Sequence, residues 1–296
     1  IGLKTKLNKK KNFIEIINKD KNINTLAPYK LVKTMRAGVL VLGSLLGKYN
    51  KAKVSLPGGC AIGTRPVDLH LFALKKLGAK IRIKDGYIFA EAKKGLIGTK
   101  IKFPSISVGA TENALIAAFK ARGTTILKNC AIEPEIKDLT NFLRKMGCNI
   151  KWTGKRTLTI IGTKKLKALN YKVMFDRIEA GTYLIASALV GKKITIDKIN
   201  PSIIKTEINT LKKIGVKIKK NKSSITILSN KNLKKINIST KPYPGFPTDL
   251  QAQLMVLLTQ AEGISKIKED IFENRFMHVP ELNRMGAKIE TKNKIA

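Results

Sequence analysis

The apolar and polar positions of this 296-residue chain repeat with a period of about 70 residues. One phrase recurs at five glycines, which are Gly2, Gly78, Gly147, Gly215 and Gly286. In the last four copies an amphipathic stretch such as VDLHLFALKKLG leads into the glycine, and alternating apolar residues follow it. This pattern predicts a helix that ends at a C-cap glycine and a chain that continues as a β-hairpin.

A second phrase alternates with the first and predicts an apolar helix, a glycine and then a strand. It occurs at Gly47, Gly123, Gly191 and Gly263. Each unit therefore holds two helices and several strands within about 70 residues, which is larger than the usual solenoid repeat. We predict a small α/β module that is present four times and is followed by the start of a fifth copy.

One unit is longer than the others. From a glycine of the second phrase to the next glycine of the first, the distance is 31 residues for Gly47 to Gly78, but 24, 24 and 23 residues in the later units. The extra residues fall where the chain reads PGGCAIGTRP. Because insertions into a repeat are commonly functional loops, we predict that this loop carries the chemistry.

Cys60 lies in that loop, directly after two glycines and five residues before Arg65. Glycines give the backbone conformational freedom, and a neighbouring guanidinium favours the thiolate form of a cysteine. We predict a reactive thiol, with a small buried hydrophobe as the alternative. Cys130 and Cys148 are predicted to be structural. Three cysteines without metal-ligand spacing indicate reduced thiols and no metal site.

The stretch PSISVGATENAL places small residues before a predicted helix. Free backbone N–H groups at Ser107, Val108 and Gly109 could therefore hold a phosphate group at the helix N-terminus. Ordinary helix capping by the same residues is the alternative interpretation.

The stretch FPTDLQAQL has the pattern of a capping box formed by Thr248 and Gln251. Asp249 inside this box is then either a carboxylate that stabilises the first helical turn or a general base. His70 and His278 lie far apart in the sequence and form no metal-binding pattern, so we interpret both as structural.

The net charge of +38, from 58 basic and 20 acidic residues, raises the question of nucleic-acid binding. Only nine basic residues are Arg, and the 49 Lys are spread along the chain without forming one stripe. We expect a solvated Lys-rich surface that attracts anions, and no specific nucleic-acid partner. The longest apolar run, AGVLVLGSLLG, is too short to span a membrane, and no signal peptide is visible. We therefore expect a cytoplasmic protein without membrane contact.

Seven motifs carry a resemblance to a known family: LVKTMRAG, SLPGGCAIGTRPVDLH, SVGAT, EPEI, DRIEAGT, FPTDLQAQ and FENRFMHVPEL. Together they resemble the UDP-N-acetylglucosamine 1-carboxyvinyltransferases, the enolpyruvyl transferases that open bacterial peptidoglycan synthesis. The resemblance implies a two-domain α/β fold, an inside-out α/β barrel of βαβαββ units, with partial domains at residues 1–174 and 175–296. It also implies transfer of the enolpyruvyl group of phosphoenolpyruvate to the 3-hydroxyl of UDP-N-acetylglucosamine, with release of phosphate.

The resemblance implies roles for individual residues. Cys60 matches the cysteine that donates a proton to the phosphoenolpyruvate methylene, can form a covalent adduct and is alkylated by fosfomycin. Asp249 matches the carboxylate that contacts the sugar 3-hydroxyl, where a base is needed, and Arg36 and Arg65 match arginines of the anionic site. Ser105 stands where the family often has a basic residue. The residues implied to bind the uridine diphosphate and the sugar are Arg65, Pro66, Val67, Asp68, Leu69, Ser105, Ile106, Ser107, Val108, Gly109 and Ile271.

The chain departs from the family's pattern at its ends, because the family's N-terminal Lys-Asn pair and C-terminal Asp-Leu-Arg segment have no counterpart in it. We therefore expect a truncated product, a fragment or a decayed copy. The alternative function is that of a weak or inactive homologue that only binds nucleotide sugar or other anions. Enolpyruvyl transferases that act on shikimate 3-phosphate share the repeat but resemble the chain less. No cofactor is expected, and the expected partners of this monomer are its two small-molecule substrates.

Overall fold

The computed structural model describes residues 3–10, 12–17, 23–58, 67–163, 165–191, 193–228 and 232–296. These residues form two compact units. The first comprises the described residues within Ile1–Gly59, Arg65–Ala131 and Leu139–Leu169, and the second comprises Ile132–Asp138 and the described residues within Asn170–Ala296. The domain boundary at residue 174 stays a prediction.

Helices and strands alternate along the described residues in the order that the repeat predicts. The helices are α1 Tyr29–Val32, α2 Val41–Tyr49, α3 Asp68–Lys76, α4 Val108–Ala118, α5 Pro134–Lys145, α6 Arg177–Val190, α7 Lys205–Lys213, α8 Gln251–Leu258 and α9 Val279–Arg284. The strands are β1 Lys4–Asn8, β2 Phe13–Ile17, β3 Leu26–Ala27, β4 Lys51–Ser55, β5 Lys80–Lys84, β6 Tyr87–Glu91, β7 Lys100–Lys102, β8 Thr124–Lys128, β9 Asn149–Gly154, β10 Thr157–Ile161, β11 Ile194–Asp197, β12 Ile218–Lys220, β13 Ser224–Ile227, β14 Asn237–Ser239 and β15 Lys266–Lys268. Short 3-10 helices cover Arg36–Leu40 and Thr248–Leu250.

Each repeat builds its own sheet. The first two repeats form four-stranded sheets of the same order, β3-β4-β6-β5 and β7-β8-β10-β9. In both sheets the first two strands are parallel and the remaining pairs are antiparallel. The third repeat contributes β11-β13-β12, and the fourth contributes the parallel pair β14-β15. The predicted α/β class and the βαβαββ repeat are confirmed.

The glycines of the first phrase end their helices as predicted. Gly78, Gly147, Gly215 and Gly286 have φ angles of +96°, +99°, +101° and +96°, a region that is strained for residues with a side chain. Antiparallel hairpins follow the first three of them. The recurring phrase therefore marks the same glycine C-cap between a helix and the hairpin that follows it.

The second phrase is less uniform. Gly123, Gly191 and Gly263 also have positive φ angles, but α2 continues beyond Gly47 to Tyr49. Asn50, with a φ of +56°, takes the left-handed position instead. The prediction that this helix ends at Gly47 is wrong, because asparagine also tolerates the left-handed conformation and can end a helix.

Each unit has its own apolar core. In the first unit Leu46 of α2, Leu74 of α3 and Leu115 of α4 are fully buried against the sheets. In the second unit Leu184 of α6 and Leu254 of α8 are buried in the same way. Within the described ranges, no helix combines the length and the apolar character needed to cross a bilayer.

A cluster of charged residues around the buried Arg177 holds the segment Ile132–Asp138 in the second unit. The guanidinium of Arg177 donates to Glu135 Oε1 at 2.9 Å, and its Nη1 lies 3.8 Å from Glu207 Oε1. Glu133 accepts the backbone N–H of Tyr243 at 3.3 Å. Burial raises the pKa of Glu207, and the neighbouring charge of Glu135 adds to that rise while Arg177 opposes it. The motifs EPEI and DRIEAGT thus supply partners of one ion cluster.

Because two carboxylates share Arg177, we expect Glu135→Gln and Glu207→Gln to differ in stability at pH 7. Glu135→Gln removes the closer partner of a buried guanidinium and should lower the free energy of unfolding by about 2 kcal/mol. Glu207→Gln should lower it by less than about 1 kcal/mol, because Arg177 keeps Glu135 and one buried charge disappears. Urea unfolding of both variants measures these losses, and equal losses would contradict the expected order.

The raised pKa of Glu207 also fixes the sign of a pH dependence. A group whose pKa is higher in the folded state contributes stability below its ordinary pKa, and this contribution is lost as the pH rises through the raised value. The free energy of unfolding of the unmodified chain, measured relative to that of Glu207→Gln, should therefore fall as the pH increases from the ordinary pKa of a glutamate to the raised pKa of Glu207.

Candidate active site

In the first unit, the predicted site residues that the structure describes follow the carboxyl ends of parallel strands. Arg36 comes after β3, residues 67–69 come after β4, and residues 105–109 come after β7. The strands β3 and β4 are parallel, as are β7 and β8. In α/β sheets, ligands commonly bind at the connections that leave the carboxyl ends of parallel strands. The sheet topology therefore supports a ligand site at these three segments.

The segment before α4 is fixed by hydrogen bonds. The side-chain amide of Asn129 donates to the carbonyl of Phe103 at 2.9 Å. Ser107 is the N-cap of α4, and its Oγ accepts the N–H of Ala110 at 3.3 Å. Capping by Ser107 is thus confirmed. The N–H groups of residues 108–109 lie in the first helical turn, where the helix itself supplies no acceptor, so they suit an anion.

The imidazole of His70 joins the start of α3 to the start of α4. A Cβ atom placed on Gly109 would lie only 3.0 Å from His70 Cε1, so the ring lies directly against this glycine. Burial, together with the charge of Arg36 and against the opposing charge of Asp68, lowers the pKa of His70 to about 4. The structure therefore brings Arg36 and the first turns of two helices around one neutral imidazole.

In the second unit, Asp249 forms an ion pair with Arg275. Arg275 Nη2 lies 2.6 Å from Asp249 Oδ1 and donates to the carbonyl of Thr248 at 3.3 Å. Asp249 follows β14 and Arg275 follows β15, and these two strands are parallel neighbours. The side chain of Asp249 is 54% exposed, so its carboxylate is oriented by Arg275 and is still open to a ligand. Asp249 also lies in the first turn of the 3-10 helix Thr248–Leu250, so both interpretations of this carboxylate stay predictions.

Glu269 organises the connection that follows β15. This buried carboxylate accepts the N–H groups of Ile271 and Phe272 at 2.9 and 3.1 Å, and its other oxygen accepts the hydroxyl of Thr248 at 3.0 Å. The N–H of Ile271 is therefore already bonded. If Ile271 contacts a ligand through its backbone, the contact is made by its carbonyl oxygen.

The predicted capping box of Thr248 and Gln251 is wrong. The Thr248 hydroxyl donates to Glu269, and no side chain caps either the 3-10 helix that begins at Thr248 or α8. Gln251 is fully buried, and its amide atoms have no hydrogen-bond partner among the described residues. The local capping pattern is overridden because the distant carboxylate of Glu269 binds the threonine hydroxyl.

The sequence analysis did not single out Arg275, which occurs there only within the motif FENRFMHVPEL. A signal for this residue was present, because Arg275 is one of nine arginines in a chain with 49 lysines. A guanidinium has a fixed, planar set of donors that an ammonium lacks, so an arginine in a lysine-rich chain indicates directed pairing. The bonds of Arg275 to Asp249 and Thr248 are pairing of this kind.

The cysteines divide into two groups. Cys130 and Cys148 are buried core residues, as predicted, and burial raises the pKa of Cys130 to about 12 and also raises that of Cys148. Such thiols are poor nucleophiles, because the thiolate is the reactive form. Cys60, Arg65 and Pro66 lie outside the described residues, so their roles stay predictions.

The fold has counterparts among solved structures. It superimposes on the enolpyruvyl transferase NikO from Streptomyces tendae with a TM-score of 0.84 and 22% identity, covering 99% of this chain and 70% of that chain. It superimposes on EPSP synthase from Acinetobacter baumannii with a TM-score of 0.67 and 18% identity, again covering 99% and 70%. These likenesses establish the enolpyruvyl transferase fold.

The sequence places the chain within this group of folds. It belongs to the EPSP synthase (3-phosphoshikimate 1-carboxyvinyltransferase) family, whose model matches residues 2–296. Within the family, it is 67% identical over 274 residues to the UDP-N-acetylglucosamine 1-carboxyvinyltransferase of Pelagibacter ubique (strain HTCC1062). It is 53% identical over 277 residues to the protein of that name from Vesicomyosocius okutanii subsp. Calyptogena okutanii (strain HA). Both matches cover 93% of this chain, which spans 66% of the length of each relative.

The different environments of the cysteines predict an order of alkylation. With limiting iodoacetamide near pH 8, we expect label on Cys60 before Cys130 or Cys148, because the latter two are buried and have raised pKa values. Peptide mass spectrometry at several times measures the three rates, and UDP-N-acetylglucosamine should change the rate at Cys60. Earlier labelling of Cys148 would argue against a reactive Cys60.

Proposed function

We propose that this chain takes part in the transfer of the enolpyruvyl group from phosphoenolpyruvate to the 3-hydroxyl of UDP-N-acetylglucosamine, with release of phosphate. The observation that carries the proposal is its 67% identity to a UDP-N-acetylglucosamine 1-carboxyvinyltransferase over 93% of its length. The same reaction would make it a peptidoglycan-synthesis enzyme, with consequences for cell shape and cell division.

The proposed chemistry needs a proton donor, a base and cations. The sugar 3-hydroxyl adds to the central carbon of phosphoenolpyruvate, and Cys60 donates a proton to its methylene carbon. Asp249 takes the proton of the hydroxyl group. The carbon–oxygen bond to phosphate then breaks, and the phosphate leaves with the proton held by Asp249. The new methyl group returns a proton to the Cys60 thiolate as the double bond is restored. Cationic groups stabilise the negative charge of the phosphate during these steps.

Two groups of described residues support these roles. In the first unit, Arg36 and the first turns of α3 and α4 meet around His70, and helix N-termini with an arginine suit a diphosphate. In the second unit, Arg275 orients the half-exposed carboxylate of Asp249. The first group suits the binding of an anion, and the second supplies the carboxylate proposed as the base. The proposed transfer requires both functions.

The proposal also sets the cellular context. It places the reaction in the cytoplasm, with a monomeric protein, no cofactor and no contact with membrane or specific nucleic acid. It further implies that fosfomycin alkylates Cys60, because the family's loop cysteine is the residue that this compound modifies.

The test of the proposed function measures binding and phosphate release with two candidate acceptors. We expect calorimetry to detect binding of UDP-N-acetylglucosamine and not of shikimate 3-phosphate. Phosphate should be released from phosphoenolpyruvate only when UDP-N-acetylglucosamine is present. Release with shikimate 3-phosphate alone, or no binding of UDP-N-acetylglucosamine, would overturn the proposal.

Arg275 gives a second test, because it orients the proposed base. Arg275→Gln removes the ion pair with Asp249, and we expect phosphate release to fall at least about tenfold, which corresponds to about 1.4 kcal/mol. Arg284→Gln is the matched control, since Arg284 pairs with Glu281 on the surface and its side chain is 78% exposed. That control should change neither activity nor stability by more than about 0.5 kcal/mol. Similar losses in both variants would show that the Asp249 pair has no specific role.

A further inference from the structure

The amide of Asn113 connects three helices of the first unit. Asn113 lies in α4 and is fully buried. Its Oδ1 accepts the backbone N–H of Gly43 in α2 at 2.7 Å, and its Nδ2 donates to the carbonyl of Val39 at 3.2 Å. The same Nδ2 lies 3.1 Å from Nδ1 of His70 in α3. One side chain therefore fixes the position of an imidazole relative to two other elements.

These bonds determine which nitrogen of His70 carries the proton. A backbone N–H can only donate and a carbonyl can only accept, so Gly43 and Val39 together fix the orientation of the Asn113 amide. Nδ2 must then donate to His70, and Nδ1 of the ring must be the unprotonated acceptor. In the neutral ring the proton consequently lies on Nε2.

The neutral form of His70 is also the form that its surroundings favour. Its pKa is lowered to about 4, mainly by burial and also by the charge of Arg36, while Asp68 opposes this shift. A protonated ring would carry a hydrogen on Nδ1 as well, which would face the Nδ2 hydrogens of Asn113. The ring thus stays neutral at the pH values at which a nucleotide sugar would bind.

The other edge of the ring lies against Gly109, in the first turn of α4. A Cβ atom on Gly109 would lie 3.3 Å from Nε2 and 3.0 Å from Cε1 of His70, which is tighter than most contacts of a real Cβ. The ring therefore occupies the space directly beside the Gly109 turn, and a ring that moved toward α4 would press on that turn. This is the turn whose free N–H groups suit a diphosphate.

We propose that His70 is a positioning residue: Asn113 holds it as the neutral Nε2–H tautomer, and the ring in turn sets the Gly109 turn for a diphosphate ligand. The inference rests on the proposed function for the identity of that ligand, UDP-N-acetylglucosamine. It replaces the interpretation of His70 as a core residue only.

The first experiment reads the tautomer in the unmodified chain. Long-range ¹H–¹⁵N NMR of ¹⁵N-histidine-labelled protein should show one histidine with unprotonated Nδ1 and protonated Nε2, unchanged between pH 5.5 and 8. His70→Gln assigns the signal by its loss. Protonated Nδ1, or titration of His70 above pH 6, would overturn the proposal.

The second experiment separates positioning from general stability. Asn113→Asp replaces the amide that donates to Nδ1 with a carboxylate that accepts, so the ring should change its protonation. We expect UDP affinity to fall at least tenfold, while the affinity for uridine, which lacks the diphosphate, changes less than twofold. Asn141→Asp is the matched control, since Asn141 is exposed in α5 of the same unit. It should leave both affinities unchanged.

The conservative replacement His70→Gln gives the rescue test, because a glutamine side chain can also accept from Asn113 and donate elsewhere. We expect UDP affinity within threefold of the unmodified chain for His70→Gln, and at least a tenfold loss for His70→Leu. Equal losses of UDP and uridine binding would overturn the positioning role alone. Failure of the unmodified chain to bind UDP would overturn the proposed function and this inference together.

Discussion

The side-chain amide of Asn113 is the constraint on which the proposed anion-binding element of the first unit depends. It is one group with three partners, two in the continuous helical stretch of residues 36–49 and one in α3. Because the amide is fully buried, loss of any one bond leaves a polar atom without water to replace the partner. Position 43 must be glycine, because a Cβ atom there would overlap the Asn113 amide oxygen. The contact between α2 and α4 therefore depends on both Gly43 and the amide of Asn113.

The two compact units hold their candidate site residues in position by different kinds of interaction. In the first, the neutral network of Asn113 and His70 sets the geometry near Arg36. In the second, ion pairs set the geometry, since Arg177 binds Glu135 and Arg275 binds Asp249. A neutral network is little affected by salt, whereas the half-exposed Asp249 pair is open to screening. The two groups of residues should therefore respond differently to ionic strength.

The sequence predicted those parts of the structure that depend on local chemistry. The glycines at Gly78, Gly147 and Gly215 end helices because only a residue without Cβ adopts their φ angles easily. The pairing of Thr248 with Glu269 and of Asn113 with His70 could not be read in this way. These partners are 21 and 43 residues apart, and only the packing of whole elements brings them together. Arg275 belongs with them, because its importance comes from an aspartate 26 residues away.

The constant geometry of the repeat glycines has a consequence for how this protein can change. Gly78 ends a helix in the repeat that contains the long loop. Its φ of +96° is the same as that of Gly286, which lies in a repeat without the extra residues. The joint between helix and hairpin is therefore unaffected by the length of the segment that precedes the helix. The length of that segment can therefore change at small cost in folding, since the entropy of loop closure rises only slowly with loop length. Chemistry and architecture can then evolve separately within one repeat.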